Sequence, residues 1–493
     1  MTEEKDPEPE QVKQGFDIKE LFMPAQIEKK ELDSLFKEVL NTTPRESLAK
    51  IYRVLNRHIN SPLLDIYFEG KRFNSSLLLS MLTCLINGKA VLFGPSGMGK
   101  STLIESVTQI LFGDRLTDIQ TATIKCHQNL VIENLEKSFN QDSDFSHPEE
   151  DEARNEPERK SLHHSSILFI EDLASLSPPM QTIFSTFLEE GILVSNNVRY
   201  HITAKPTFAT SNFLDMRNNL SLALHDRFHV SVVPTGLNPS WLNRLFNAPI
   251  IKSLNKYSLN LTVDDLESIQ EKIEKVAIDQ QVLHKIEYFF SEITHCTMLS
   301  KNIFFKNRAN GFFDRLRDPS RLCRQCRLCK DNKNIICKHI KGNVSTRALE
   351  SLVRYSKAFA WLCGETSINS DRLIEAIIPY TLLHRIEPSR TAREQDSNTL
   401  TRVPWIRKLW QKSMENFETL EESFVDFNSS ITQLMDDELS AKEKSKIVQT
   451  AAKNLLKLGT PARYNYLTLL LNRAFELDIE VFPENNFDFP SSK

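Results

Sequence analysis

No stretch of this 493-residue chain runs for about 18 consecutive apolar residues, so no membrane-crossing helix is expected. The longest candidate, Leu77 to Ile86, has the length of a core helix and is broken by Ser80 and Thr83. The first residues, MTEEKDPEPEQ, are acidic and lack an apolar run, which argues against a secretory signal and for a cytoplasmic location. Charge of one sign is also missing. Lys and Arg number 61 against 65 Asp and Glu, a formal net charge of -4, so bulk nucleic-acid binding is not expected, though a local basic patch stays open. No internal repeat is visible. Cysteine is sparse and unevenly placed: four of the eight, Cys323, Cys326, Cys329 and Cys337, fall in one short segment. Clustered thiols in a cytoplasmic chain point to metal rather than to disulfides.

The length is too great for one ordinary core, so two to four domains are expected. A hydrophobic share of 40% with 26% charged residues fits a globular protein. Residues 1–50 read as a helical or unstructured leader, 51–245 as an α/β core, 246–388 as a helical unit with a cysteine-rich insertion at 303–341, and 389–493 as a helical extension behind a polar linker at 389–400. Within the core, Ala90–Phe93, Ile167–Ile170, Thr207–Thr210 and Val230–Val233 read as short buried strands. They alternate with helices, which predicts a parallel sheet. Ile192–Val194 and Val198–Tyr200 flank Ser195-Asn196-Asn197, a hairpin signal, because asparagine tolerates the positive φ of tight turns. The stretch 141–164 is strongly polar and reads as an unstructured loop inside the core.

Gly94-Pro95-Ser96-Gly97-Met98-Gly99-Lys100-Ser101 fits G-x-x-x-x-G-K-[ST] at every fixed position, and Thr102 follows in the helix it opens. Glycines let backbone N–H groups turn toward a β-phosphate without a Cβ in the way. The helix behind the loop points its amino end at the anion. In that setting Lys100 reaches the β/γ oxygens of ATP and Ser101 ligates Mg²⁺. A chance glycine turn is the bland reading, and the strand–loop–helix context argues against it.

The strand Ile167-Leu168-Phe169-Ile170 ends in Glu171-Asp172. Beside a phosphate loop, one such acid supports the Mg²⁺ shell and the next orients the attacking water; alone, paired acids at a strand end are often only solvated. Asn212 ends the strand Thr207–Asn212, where an amide can hold that water. Arg227 (in His225-Asp226-Arg227-Phe228) and Arg347 (at a helix start) follow in order. Each is weak alone, but the order makes them candidates for an arginine finger acting on a neighbouring subunit and for a second arginine on the helical unit.

These segments together, GPSGMGKS, ILFIEDLASLSPPMQTIFSTFLEEGIL, FATSN, LALHDRF, VDDLESIQEKIEKVAID and VSTRALESLVRYSKAFAWL, resemble the MoxR branch of the AAA+ ATPases over about residues 50–388. The resemblance implies an α/β AAA+ domain with a parallel sheet, an α-helical lid and a helical C-terminal extension. It implies Lys100 and Ser101 at the nucleotide and Mg²⁺, Asn212 as sensor 1, Arg227 as arginine finger and Arg347 as sensor 2. Thr121–Asn134 takes the place of an insert in helix 2, and the Asn196-Asn197 hairpin that of the pre-sensor-1 hairpin. It further implies a hexameric ring, chaperone-like remodelling or cofactor insertion, and a partner carrying a von Willebrand A domain. The family ends its acidic strand Asp-Glu, whereas this chain reads Glu171-Asp172. The catalytic position then holds an acid one methylene shorter, so slow hydrolysis is expected.

Cys323, Cys326, Cys329 and Cys337, with His339 two residues on, sit in a basic stretch. Thiolates at these spacings can wrap one tetrahedral Zn²⁺. The C-x2-C-x2-C run also resembles half of a [4Fe-4S] site, and unligated thiols are the bland alternative. Nine Lys and Arg against three Asp between Asp314 and Lys341 can grip nucleic acid, or simply keep a small knuckle soluble. Rival readings of the whole are an ATPase subunit like that of magnesium chelatase, a nucleic-acid-translocating ATPase, and an ATP-gated scaffold with little turnover.

Overall fold

The computed structural model describes residues 43–49, 52, 65–113, 120–132, 135, 165–195, 198–201, 206–212, 220–234, 258–294, 335–342, 344–395, 402–436 and 439–458, with single positions between 466 and 479. The expected polar loop at 141–164 and Cys323, Cys326 and Cys329 lie outside the described residues.

The core begins with a hairpin, β1 (Ile66–Phe68) and β2 (Lys71–Phe73). Its loop residues Glu69 and Gly70 have φ of 49° and 69°, the left-handed pair that a two-residue turn needs to match strand twist. Helix α1 (Ser75–Leu85) starts at Asn74, whose side chain accepts a hydrogen bond from Leu77 N. Then follow β3 (Lys89–Phe93), α2 (Lys100–Phe112), β4 (Gln120–Lys125), β5 (Ser165–Glu171), α3 (Pro178–Glu190), β6 (Ile192–Ser195), β7 (Val198–His201), β8 (Thr207–Ser211), α4 (Leu222–Asp226) and β9 (Val230–Val232).

Five strands form one parallel sheet in the order β4-β5-β8-β3-β9. Alternate residues go to opposite faces, as strand pleating requires. Ala90, Leu92, Phe169, Phe208 and Val230 join one buried cluster, while Val91, Phe93, Leu168, Ile170 and Ala209 join another. Both faces are therefore apolar, which is why these strands read as unbroken hydrophobic runs. The strand β4 corrects an expectation. Thr121–Lys125 does not belong to an insert in helix 2; it forms the sheet edge, paired with β5 from Thr121↔Ile167 to Lys125↔Glu171. Its Thr121, Thr123 and Ile124 are β-branched residues suited to a pleated surface. The hairpin β6–β7 is present, closing at Ser195↔Val198; its Asn196 and Asn197 lie outside the described residues.

A helical domain follows: α5 (Val263–Glu274), α6 (Gln280–Ile293), α7 (Thr346–Cys363), α8 (Asp371–Leu382) and α9 (Arg390–Gln395). Thr262 and Asp265 close a reciprocal capping box on α5. Helix α9 falls where a linker was expected. Arg390 and Glu394 pair one turn apart across it, and Ser389 Oγ accepts from Ala392 N. The extension is α10 (Arg402–Gln433) and α11 (Ala441–Lys457). It packs on α6 through interlocked rings: Tyr288 with Phe417 and Phe424, each 5.4 Å between centroids, and Phe289 with Trp410 at 5.1 Å.

This seam buries a carboxyl. Glu292 of α6 accepts from Ser413 Oγ (2.6 Å), Asn416 Nδ2 (3.1 Å) and Tyr288 OH (3.3 Å). Burial pushes its pKa up to about 7, against the opposing pull of those donors. A carboxyl held above its unfolded value of 4.5 favours folding while it is protonated. Its contribution is full below about 4.5 and is lost as pH rises through about 7. Glu292→Gln should therefore flatten the fall in stability between pH 5 and 8, by on the order of 2 kcal/mol. Urea midpoints across that range check this; an unchanged slope in the variant would show that Glu292 is not the group responsible.

Candidate functional site

The loop 94–99 runs from the carboxyl end of β3 into the amino end of α2. Gly97 and Gly99 take φ of 81° and 74°, left-handed values that strain any side chain. A Cβ at either would meet nothing within 4 Å, so the space in front of the loop is open. Gly94 N donates to Ser211 O (3.2 Å), which anchors the loop to β8. Below the loop, buried Lys100 donates through Nζ to Gly94 O (2.6 Å), Pro95 O (3.0 Å) and Asn212 Oδ1 (2.8 Å). Asn212 Nδ2 in turn donates to Asp172 Oδ1 at 3.4 Å. Asp172 N donates to Thr210 Oγ1 (3.1 Å), tying the acidic strand end to β8.

Lys100, Asn212 and Asp172, remote in sequence, are thus linked hand to hand beside an open glycine cradle. Sheet order explains it: β8 lies between β5 and β3, so Asn212 at its carboxyl end stands between the acid and the lysine. Asp172 has φ 54°, a left-handed backbone on a non-glycine residue. Aspartate tolerates that region better than glutamate does. The residues present suit a nucleotide polyphosphate with Mg²⁺: an amino end of a helix, glycine amides, a lysine, the Ser101 hydroxyl in the first turn, and the Glu171–Asp172 carboxylates.

Arg227 and Arg347 are not part of this group. Arg227 precedes β9, whose first residue pairs with Ala90 near the start of β3. Both arginines therefore sit at the amino edge of the sheet, across the strands from the phosphate loop. Glu189, at the end of α3, accepts from Arg227 Nη2 (2.7 Å) and from Arg347 Nη2. Asp226 accepts from Arg347 Nη1 (3.3 Å), Ser345 Oγ (2.6 Å) and Arg385 Nε (2.9 Å). Glu189, Asp226 and Arg385 carried no sequence signal. Their importance comes from where the chain folds back, not from any local pattern.

A cavity of about 660 Å³ opens at this same amino edge, between core and helical domain, lined among others by Lys89, Phe187, His229, Ile273, Arg354 and Lys357. It is not the phosphate site. Its three cations are occupied with the carbonyl ends of helices: Lys89 donates to Leu188 O at the end of α3, Arg354 to Ile86 O after α1 (2.7 Å), and Lys357 to Glu274 O ending α5 (2.9 Å). Such cations neutralise converging helix termini. Burial, then the guanidiniums of Arg354, Arg347 and Arg227, lower the Lys89 pKa to about 8.

Of the cysteine segment, Cys337 and His339 are described. Cys337 is buried at the start of a short 3₁₀ turn, Cys337–His339, next to a strand Ile340–Gly342 that pairs with Ile386–Pro388. Among the described residues no group of three or more His, Cys, Asp or Glu is placed to hold a metal, and the other three thiols lie outside them. Also among the described residues, no helix is long and apolar enough to cross a membrane.

Residues 89–228 match the family model of the AAA domain, dynein-related subfamily, and residues 332–403 match that of an AAA lid domain. The first match holds the phosphate loop, the acidic strand end, Asn212 and Arg227; the second holds Arg347 and Arg385. The chain is also similar to a solved protein assigned as an ATPase, from Cytophaga hutchinsonii. The two are 15% identical, with 77% of this chain and 97% of that one covered and a TM-score of 0.47. No curated protein matches the chain by sequence.

Proposed function

We propose that this chain, which carries an AAA domain of the dynein-related type with its lid, binds and slowly hydrolyses ATP in a ring of identical subunits and uses the cycle to remodel a protein partner. The observation that carries the reading is the linked set Lys100–Asn212–Asp172 beside an open glycine cradle. Lys100 neutralises the β/γ oxygens, and Ser101 with Glu171 supports Mg²⁺, which supplies charge neutralisation when bound. Asp172 and Asn212 hold the attacking water. The amide of Asn212 joins the lysine that senses the phosphate to the acid that acts on water, so the two are oriented together.

The ring rests on Arg227 and Arg347. A guanidinium on the far side of the sheet from its own phosphate loop can reach only a nucleotide carried by another copy. Two arginines there, one from the core and one from the lid, suit the charge that develops on a transferred phosphoryl group. A hexamer, a MoxR-like role in complex assembly or cofactor insertion, and a partner with a von Willebrand A domain are the finer expectations of the sequence resemblance, and they extend this reading.

The acid order sets the rate. Asp172 is shorter than the glutamate expected at this position, and a misplacement near 1 Å costs about 100-fold. Asp172→Glu should raise the steady-state ATPase rate at saturating ATP. It should also destabilise the fold slightly, since glutamate is less at ease at φ 54°. A slower Asp172→Glu protein would show that the shorter acid is the better placed one.

A further inference from the structure

Glu189 closes α3 at the amino edge of the sheet and stands between two guanidiniums. Its Oε2 accepts from Arg227 Nη2 and its Oε1 from Arg347 Nη2. Arg227 follows α4 of the core and Arg347 opens α7 of the lid, so one carboxylate spans the two domains. Two guanidiniums that each give one nitrogen to a different oxygen of one acid make a receptor for a small oxyanion, and such donors suit phosphate as well as carboxylate. Arg227 Nη1 donates to Ala223 O (2.7 Å), which fixes the guanidinium with its Nη2 turned to Glu189.

The side chains of Glu189 and Arg347 are 35% and 38% exposed. Solvent screens a pair this open, so the Arg347 contact is weak, while the Arg227 side chain is the more enclosed of the two at 19% exposure. A phosphoryl group brings more charge and three oxygens to the same donors.

We propose that Glu189 is a built-in stand-in for the phosphoryl group of a nucleotide on an adjacent copy, filling the Arg227–Arg347 fork in the isolated subunit and leaving it when the neighbour docks. This rests on the ring reading above. Glu189 then competes with assembly. It sets the protein concentration at which subunits begin to stimulate one another, and it keeps the arginines from collecting stray anions before then.

The test is ATPase activity as a function of protein concentration. Glu189→Gln keeps the shape and removes the charge; it should lower the concentration for half-maximal specific activity by about three- to tenfold. Glu189→Asp keeps the charge with a shorter reach and should shift it the same way by less. In an Arg227→Ala background the Glu189→Gln shift should shrink, because only the Arg347 contact remains to be released. A Glu189→Gln protein that needs a higher concentration, or whose maximal rate falls, overturns the proposal by making Glu189 a support for the arginines. So does a shift of undiminished size without Arg227. Failure of the ring reading looks different: wild-type specific activity would not depend on concentration, and Arg227→Ala would be as active as wild type.

Discussion

Replacing Arg385 by methionine is expected to cost about 3–5 kcal/mol of stability, the loss typical of breaking a buried ion pair from one side. The side chain is 1% exposed. Its Nε donates to Asp226 Oδ1, its Nη1 to His229 O (3.2 Å) and Thr381 O (2.5 Å), and its Nη2 to Asp226 O (3.0 Å) and Phe228 O (2.7 Å). Burial pulls its pKa below the usual arginine value, and Asp226 opposes that pull. Every one of these acceptors except Thr381 belongs to the short run 226–229 leading into β9, so one lid side chain pins that run in place. Methionine fills the volume but leaves the carbonyls of Asp226, Phe228 and His229 without this donor in a buried setting. Arg385→Lys should recover little, since an ammonium lacks the planar fork needed to serve acceptors on several sides. Urea midpoints of the three proteins decide it. A methionine variant within 1 kcal/mol of wild type would mean that other groups satisfy the run.

The second large effect is on nucleotide. Lys100→Met should weaken ATP binding by at least about 100-fold and abolish measurable turnover, in line with removal of a charge-stabilising donor from a phosphoryl-transfer site. The fold should survive, because methionine keeps most of the apolar stem of Lys100, whose Nζ donates to the loop carbonyls and Asn212. Titration with a fluorescent ATP analogue, alongside circular dichroism, separates the two. Native spectra with unchanged affinity would refute the assignment of the loop.

Much of the site can be read from the chain because its parts are local. The spacing from Gly94 to Ser101 is a backbone requirement, and a strand ending in two acids is a continuous run. Asn212 is legible because it closes a strand whose neighbours are also visible. The core strands stand out because both faces of the sheet are buried and alternation vanishes. Strand β4 is harder: Gln120–Lys125 is a short, mostly polar run at a sheet edge, and its weak alternation gains weight only from the pairing to β5. The hairpin at Glu69-Gly70 carries a turn signal but strands of three residues only. Glu189, Asp226 and Arg385 are illegible for a different reason. A carboxylate at a helix end is ordinary; which guanidiniums reach it depends on 38 to 159 residues of intervening chain. Glu292 is similar, an unremarkable acid on an amphipathic helix until α10 covers it.

Strand β3 has a consequence for assembly as a whole. Its five residues, roughly 16 Å of extended chain, separate the nucleotide end of a subunit from its arginine end. A contact that brings one to the other without the reciprocal exchange of a two-fold pair joins unlike surfaces. Such a joint has polarity. Repeated, it either closes on itself or grows as a helix, and a subunit altered at one end alone still offers the other. A copy lacking its arginines would then be silent toward the nucleotide of one neighbour while its own remained open to the other's, so defects in a mixed assembly would act in one direction around it.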